Sequence, residues 1–425
     1  MKYSLFVKAI VIPMSLFGAY EGEIRDIESY KLLQNVQISD EKRTVVSDQK
    51  GHFKFDTKSK NINIKAYGYK PYRLSNLTHD KSQTIELEPI KIKALYLSFW
   101  KTDVNRDTFK EIMKTIETTG INALVIDMKN EFGNTLYDSN VEEANELKTY
   151  KYKMVKDIKE FVAKLKAKDL YLIARVVVFK DNLQAEKFPE RALKKKNGDI
   201  YGADKKLAWM DPYNKDVHKY TIDLAEEIAQ LGFDEINFDY VRFPATSSVA
   251  FSKENTEENR VSAIETFLSS AKKRLLPYGV FTSADTYGNV CWSKNDSNIG
   301  HKISSLAKNV DYVAPMLYPS GFAMNSHGFK DPTKNSYDVI YKSITNIHSK
   351  IDPIRVRPWL QHFKDYAHTK KHFKATEIRE QIDGSNMAQA SGWMFWNPSS
   401  NYKASWLKGS EYVTTNETKH ESETF

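Results

Sequence analysis

The chain has 425 residues, of which 41% are hydrophobic, 12% aromatic and 28% charged. Such a composition supports a large packed core and excludes a disordered, collagen-like or low-complexity polymer. Sixty-three basic residues against fifty-five acidic ones leave +8, spread in short runs such as Lys194 to Lys196. Anionic ligands are therefore allowed, while a nucleic-acid surface is not indicated. The single cysteine, Cys291, excludes an intrachain disulfide framework and a cysteine-based zinc cluster.

The first segment, MKYSLFVKAIVIPMSLFGAY, places a lysine at position 2 and an apolar run from Ala9 to Tyr20 ahead of the charged EGEIRD. It is short for a bilayer span and fits a secretion signal over residues 1–20. That implies a periplasmic, envelope-associated or secreted protein with no transmembrane segment in the mature chain. The Lys8 interruption and the bulky Phe17 leave a buried first element of a cytoplasmic protein as the alternative.

Residues 21–90 contain strand-length runs separated by turns: RTVVSDQKGHFKFD, NINIKAYGYKPYRL and QTIELEPI. Ile62, Ile64 and Ala66 recur at period two, and Gly51 and Gly68 fall where turns are needed, so the segment predicts a small all-β sandwich. The turn-Gly-x-Phe-x-Phe piece and the Gly-Tyr-Lys-Pro turn resemble the transthyretin-like domain of carboxypeptidase regulatory regions. The resemblance implies an accessory or anchoring module, and no residue here suggests catalysis.

From residue 91 to 409, short apolar runs alternate with amphipathic stretches, and a polar tail occupies 410–425. Candidate strands are 94–100, 123–129, 170–178, 235–241, 280–286, 312–318, 356–360 and 392–397. Helical spacing links Phe109, Ile112, Met113 and Ile116, and again Val217, Thr221, Leu224, Ile228 and Leu231. Eight such units predict an α/β fold of the (β/α)8 TIM-barrel type. A doubly wound open sheet is the competing reading, weakened because SFWKTDVNRD after the first strand is no glycine-rich phosphate loop. The expected core includes Leu95, Leu97, Val125, Ile173, Ala174, Val176, Ile236, Phe238, Val313, Val356 and Trp393.

In a barrel, the residues at the C-terminal strand ends form the working cleft. Reading those ends gives Trp100, then Asp127, Lys129 and Glu131, then Arg175 with Lys180 in its loop. The later strands add Asp239 and Arg242, Asp285 and Tyr287, Met316, Tyr318 and Ser320, Trp359 and Gln361, and Trp396 and Asn397. Carboxylates, cations and aromatics on one rim have the composition of a carbohydrate cleft.

Cleaving a glycosidic bond needs one carboxyl group to protonate the leaving oxygen and another to act as nucleophile or to activate water. Asp239 is the candidate for the ionised partner, with Arg242 three residues on to hold its charge. Asp285, expected in an apolar and aromatic surround, is the candidate acid or base. Asp127 is a third catalytic candidate, although pairing with Lys129 or Arg175 would occupy it, and Glu131 is a fourth. Trp100, Trp209, Tyr287, Tyr318, Trp359 and Trp396 could stack on sugar rings. Gln361 and Asn397 could bond hydroxyl groups, and Lys129, Arg175 and Arg242 could meet an acidic sugar or neutralise the rim.

No metal site or cofactor is expected. The histidines lack a His-Glu-x-x-His arrangement, no Gly-x-Ser-x-Gly elbow occurs, and Cys291 has no histidine nearby in sequence.

The runs INALVIDMKNEFG, LYLIARVVVFKD, FPERALKKKNGD, LAWMDPYNKDV, LGFDEINFDYVRFP, VDYVAPMLYPS, RVRPWLQ and GWMFWNPSSNY closely resemble a bacterial glycoside-hydrolase family long known as a domain of unknown function. The resemblance covers roughly residues 93–405 and implies a TIM barrel akin to the α-amylase-type hydrolases. Asp127, Lys129, Arg175, Asp211, Asp239, Arg242, Asp285, Tyr318, Trp359, Gln361 and Asn397 match its polar positions, and Glu131 stands where relatives often carry aspartate. Strand five ends in Asp285 instead of glutamate, and strand seven in Trp359 and Gln361 instead of aspartate, which argues against starch-like substrates. The expected function is therefore hydrolysis of a polysaccharide or glycoconjugate. A non-catalytic carbohydrate-binding barrel is the alternative, and a lyase or deacetylase is a weaker third.

Overall fold

The computed structural model describes residues 19–76 and 82–408. The expected secretion signal lies almost wholly outside the described residues, and the 410–425 tail wholly so. The chain divides into two units, 1–89 and 90–425.

In the first unit the strands are β1 (Tyr20–Asp26), β2 (Gln37–Ser39), β3 (Thr44–Val46), β4 (His52–Phe55), β5 (Asn61–Lys65), β6 (Tyr72–Ser75) and β7 (Gln83–Leu87). They form a three-stranded sheet in the order β4-β1-β7 and a four-stranded one in the order β3-β2-β5-β6. Alternation explains the pairing of faces: in β1, Tyr20 and Ile24 are buried, and in β4, Phe53 and Phe55. These side chains share one apolar core with Ile38, Ile62 and Ile64 of the other sheet. Gly51 sits at φ +72, the left-handed geometry that its turn requires.

In the second unit eight parallel strands close into a barrel: β8 (Ile92–Leu97), β9 (Ala123–Lys129), β10 (Tyr171–Val177), β12 (Glu235–Asp239), β14 (Phe281–Tyr287), β15 (Tyr312–Met316), β16 (Trp359–Gln361) and β17 (Gly392–Trp396). The remaining strands, β11 (Lys194–Lys195) and β13 (Val249–Ala250), make a small antiparallel ribbon outside it. After β8 comes α1 (Asp107–Thr118), after β9 come α2 (Glu142–Glu146) and α3 (Ile158–Lys166), and after β10 come α4 (Asn182–Lys187) and α5 (Lys215–Ala229). Helices α6 (Glu257–Leu275), α7 (Ile303–Asn309), α8 (Ser336–Thr345), α9 (Ala375–Met387) and α10 (Ala404–Leu407) follow β12, β14, β15, β16 and β17 in turn. All eleven expected core residues are buried.

The first expected strand ends earlier than its apolar run, because Phe99–Lys101 turns into a 3-10 helix. The seventh is shorter and later than expected: Val356 makes only an isolated bridge to Val313, and regular pairing begins at Trp359.

Strand β12, EINFD, is buried along its whole length, and the alternation of its side chains organises the barrel. Ile236 joins the apolar core, and Phe238 packs edge-on against Phe267 of α6 with ring centroids 5.2 Å apart. The intervening residues are polar and form a column. Glu235 pairs with Arg357 at 2.5 Å, Asn237 bonds Ser283 and Asp285 of β14, and Asp239 at the strand's end meets Arg175 of β10.

The seam between the last strand and the first depends on Gly392. It has φ +94 and pairs with Ile92, and an added Cβ would collide with the Ile92 carbonyl oxygen. Gly392→Ala is expected to cost about 3 kcal/mol and to lower Tm by roughly 5–10 °C in a thermal melt of the full chain. An unchanged melt would show that the seam can shift to admit a methyl group.

Candidate active site

The top of the barrel is built around one guanidinium. Arg175 is buried, with Nη1 donating to Asp127 Oδ1 of β9 at 2.5 Å. Its Nε and Nη2 donate to Asp239 Oδ2 of β12 at 2.9 and 2.5 Å. Since β10 lies between β9 and β12, the fork reaches one carboxylate on each side. The pairing of β9 with β10 shifts register between Arg175 and Val176, an irregularity that re-aims side chains at the rim. Rings from β8 and β17 cover the cation: Trp396 at 4.9 Å and Tyr96 at 5.8 Å from the guanidinium carbon. Tyr96 and Trp396 stack on each other at 3.9 Å, and the Tyr96 hydroxyl donates to Asp127 Oδ2.

The sequence-based expectation about Asp239 needs correction here. Its cation is Arg175, not Arg242, because Arg242 turns instead across the Tyr287, Trp209 and Tyr240 rings at 4.4, 4.9 and 5.4 Å. The second oxygen of Asp239, Oδ1, accepts the Tyr240 backbone N–H at 2.6 Å. Tyr240 itself sits at φ +49, a strained value for a bulky residue, at the point where strand gives way to loop.

Asp285 on β14 has a different environment. Its Oδ1 accepts from Asn237 Nδ2 at 2.8 Å and from Trp359 Nε1 at 2.7 Å. No cation pairs with it, and Oδ2 has no partner among the described residues. Burial, followed by the charge of Asp239, pushes the Asp285 carboxyl well above the usual carboxylate range. Burial also raises Asp127, with Arg175 pulling the other way and Glu131 adding to the rise.

Asp239 and Asp285 line one pocket of ≈ 160 Å³ together with Arg175, Tyr240, Arg242, Tyr287, Met316, Tyr318, Trp359 and Trp396. That is below the usual range for drug-sized ligands. Arg242 is 8% and Tyr287 39% exposed, so the walls run from buried floor to open edge.

Several expected site residues lie elsewhere. Lys129 is fully buried, bonded to Asp181 Oδ2 and the Val177 carbonyl at 2.9 Å each, and so meets neither Asp127 nor the pocket. Asp181 also caps α4 by accepting the Gln184 N–H. Gln361 is fully buried and bonded to Ser320 and Gln381. The Asn397 amide donates to the carbonyls of His362 and Asn401. Trp209 packs beneath the pocket wall against Tyr240, and Trp100 is exposed on the turn after β8 against Phe99 and Tyr152. Glu131 is half-buried, and its carboxylate forms no hydrogen bond or ion pair among the described residues.

A wider hollow of ≈ 550 Å³, lined by His362, Lys364, Lys374, Asn397, Lys403 and Trp406 among others, contains no carboxylate and so offers no acid of this kind.

Tyr96, Asn237 and Tyr240 complete the site without having been singled out as site residues from the sequence, whereas Lys180 was expected in the loop after the third strand. A signal existed for Asn237, since Glu235, Asn237 and Asp239 form a polar period-two series within an otherwise apolar strand.

The family profile described as "Putative glycosyl hydrolase domain" matches residues 94–402. Among solved structures, the chain is similar to the PgaB (BpsB) glycoside hydrolase domain of Bordetella bronchiseptica, with 10% identity, TM-score 0.52, and 75% of this chain and 99% of that one covered. It is also similar to α-L-fucosidase isoenzyme 2 of Paenibacillus thiaminolyticus, with 10% identity, TM-score 0.51, and coverage of 75% and 48%. A hypothetical protein of Ruminiclostridium thermocellum is 36% identical over 45% of this chain and 96% of its own, with TM-score 0.40. No curated protein matches. At 10% identity the two hydrolase likenesses show the barrel alone.

Replacing Arg175 by Met would leave Asp127 and Asp239 buried without a cation, an expected loss of about 3–5 kcal/mol. Arg175→Lys should restore only part of this, because an ammonium cannot present the fork. The penalty should shrink on acidification, as protonation removes the uncompensated charges. Melts of both variants across pH check this, and a loss independent of pH would mark it as packing.

Proposed function

The chain belongs to this glycosyl hydrolase domain family, and from that premise we propose that it hydrolyses glycosidic bonds of a polysaccharide or glycoconjugate through Asp285 and Asp239. The observation that carries the reading is the contrast between these two carboxyl groups in one pocket. Asp239 is held by a guanidinium and a backbone N–H, whereas Asp285 sits among neutral donors with its pKa pushed up. Environments that drive neighbouring carboxyl groups apart in this way assign the acid and its charged partner.

In the proposed reaction Asp285 is protonated and Oδ2, its unpartnered oxygen, delivers the proton to the leaving oxygen. Asp239 faces the developing positive charge on the sugar ring, as nucleophile or as the base for water. Tyr287, Tyr318, Trp359 and Trp396 offer rigid faces to the C–H surfaces of sugar rings. Glu131 and Asp127 remain lesser candidates, Asp127 because both its oxygens are bonded. The N-terminal β unit serves in this reading as a transthyretin-like attachment module, and the location is the cell envelope or beyond. No helix among the described residues is long and apolar enough to cross a membrane.

The closed Asp127–Arg175–Asp239 network would also suit a barrel that binds carbohydrate without cleaving it. Incubating the full chain with bacterial envelope and exopolysaccharide preparations, with products read by mass spectrometry, separates the two. Hydrolysis should release oligosaccharides, and Asp239→Asn and Asp285→Asn should each reduce release about a hundredfold or more. Because Asp285 donates only while protonated, activity should fall as pH rises through its elevated pKa, and residual activity of Asp285→Asn should lack that alkaline limb. Glycan binding without release, unaltered in both variants, would leave only the binding function.

A further inference from the structure

Two cations lack a charged partner among the described residues: Arg242, which lines the pocket, and Lys180, which lies outside its lining but over the ring of the lining residue Tyr240. Arg242 is 8% exposed and lines the pocket, yet only its Nη1 is bonded, to the Phe243 carbonyl at 3.1 Å. Its remaining N–H groups have no partner among the described residues. Lys180, half-buried in the loop after β10, has no hydrogen bond or ion pair through Nζ among those residues. Both lie over the same two rings: Nζ of Lys180 is 4.2 Å from Tyr240 and 5.6 Å from Trp209, and the guanidinium carbon of Arg242 is 5.4 and 4.9 Å from them. Lys180 feels Arg242: burial and then the charge of Arg242 lower the Lys180 pKa.

Like charges gathered over shared rings are unfavourable unless something offsets them. The nearby carboxylates do not pair with them. Asp239 is occupied by Arg175 and the Tyr240 N–H, and Glu131 and Asp239 act on Lys180 only at longer range. An anion between the ammonium and the guanidinium would satisfy both, and a planar carboxylate matches the free edge of the Arg242 fork.

We propose that Lys180 and Arg242 form an anion subsite beside Asp239 and Asp285, and that the substrate is an acidic glycan whose sugar in the pocket carries a carboxylate. The proposal rests on the glycan-cleaving reading above and specifies its substrate class. The ≈ 160 Å³ pocket is lined by Tyr240, Arg242 and Asp285, and in the proposed complex the acid group turns toward Tyr240 and the glycosidic oxygen toward Asp285.

The test uses full-length protein carrying Asp285→Asn, to prevent turnover, and three probes in calorimetric titration: an oligoglucuronate, the same oligosaccharide after carboxyl reduction, and a sulfated neutral oligosaccharide of equal length. The oligoglucuronate should bind at least about tenfold more tightly than its reduced form, with the difference shrinking as salt rises. Adding Lys180→Met should remove most of that preference while leaving affinity for the reduced sugar unchanged, and Arg242→Gln should act in the same direction. Weaker binding of the sulfated probe identifies the ligand as a carboxylate, and equal binding would overturn that part of the proposal. Equal affinity for the acidic and reduced sugars, or a preference that survives both substitutions in proteins with unaltered melts, overturns the subsite but leaves the glycan reading standing. Binding to none of the probes overturns the subsite, and the glycan reading then falls only if the envelope and exopolysaccharide digests also show neither release nor binding.

Discussion

The barrel's upper layer depends on how Arg175 divides one positive charge between two buried carboxylates. Asp127, Arg175 and Asp239 come from three adjacent strands, so the fork links their side chains across β9, β10 and β12 as the backbone ladder does beside it. One cation cannot neutralise two acids, and the burial of Asp127 leaves its carboxyl pushed upward despite the contact. An ionic cluster of this kind is a weak source of stability, since desolvation cancels much of the attraction and apolar residues of similar volume often serve as well. Its value lies in fixing where charge sits at the end of β12. The Tyr96 and Trp396 rings exclude water from one face of the guanidinium and strengthen that fixation.

The same layer explains why two aspartates on neighbouring strands are not equivalent. Asp239 lies on β12, at the top of a column whose lower members are Asn237 and Glu235. Asn237 takes no part in charge balance; it reaches across to Ser283 and Asp285 on β14. Asp285 therefore receives neutral donors from the floor and from Trp359 of β16, while the nearest cation is already engaged by Asp239. Burial and then the charge of Asp239 raise the Asp285 pKa, and strand order leaves it without an ion pair to oppose the rise: the arginine is one strand removed, on the far side of β12.

Much of this architecture was legible in the sequence. Eight apolar runs alternating with helical spacing are what a buried parallel sheet wrapped by helices requires, and each run contributes a barrel strand. Partnerships were less legible, because in a closed barrel the residues that touch come from neighbouring strands dozens of positions apart. Arg242, three residues from Asp239, was the natural partner in sequence, but the chain turns at the left-handed Tyr240 and carries that side chain onto aromatic rings. Lys129 misled in a similar way, since its long side chain reaches Asp181, the residue that caps α4. Gln361 and Asn397 stand at strand ends as the rim pattern asks, but their amides bond neighbouring protein groups, a use that strand-end position alone cannot distinguish from ligand binding.

The floor and the rim of the pocket are consequently built on different terms. On the floor, at the strand ends, the carboxylates of Asp127 and Asp239 are bonded at both oxygens, and only Oδ2 of Asp285 is left over. On the rim, Lys180 and Arg242 lie in loops, held by ring faces and one carbonyl, with most of their donors unused. Strand ends are constrained by the barrel, whereas loops vary without disturbing it, so reaction chemistry belongs with the former and substrate choice with the latter. Barrels that share only a tenth of their residues with this chain can therefore reproduce its fold without specifying a substrate. In the proposed reading, substrate choice rests on Lys180 and Arg242 at the rim, most of whose donors are unbonded among the described residues.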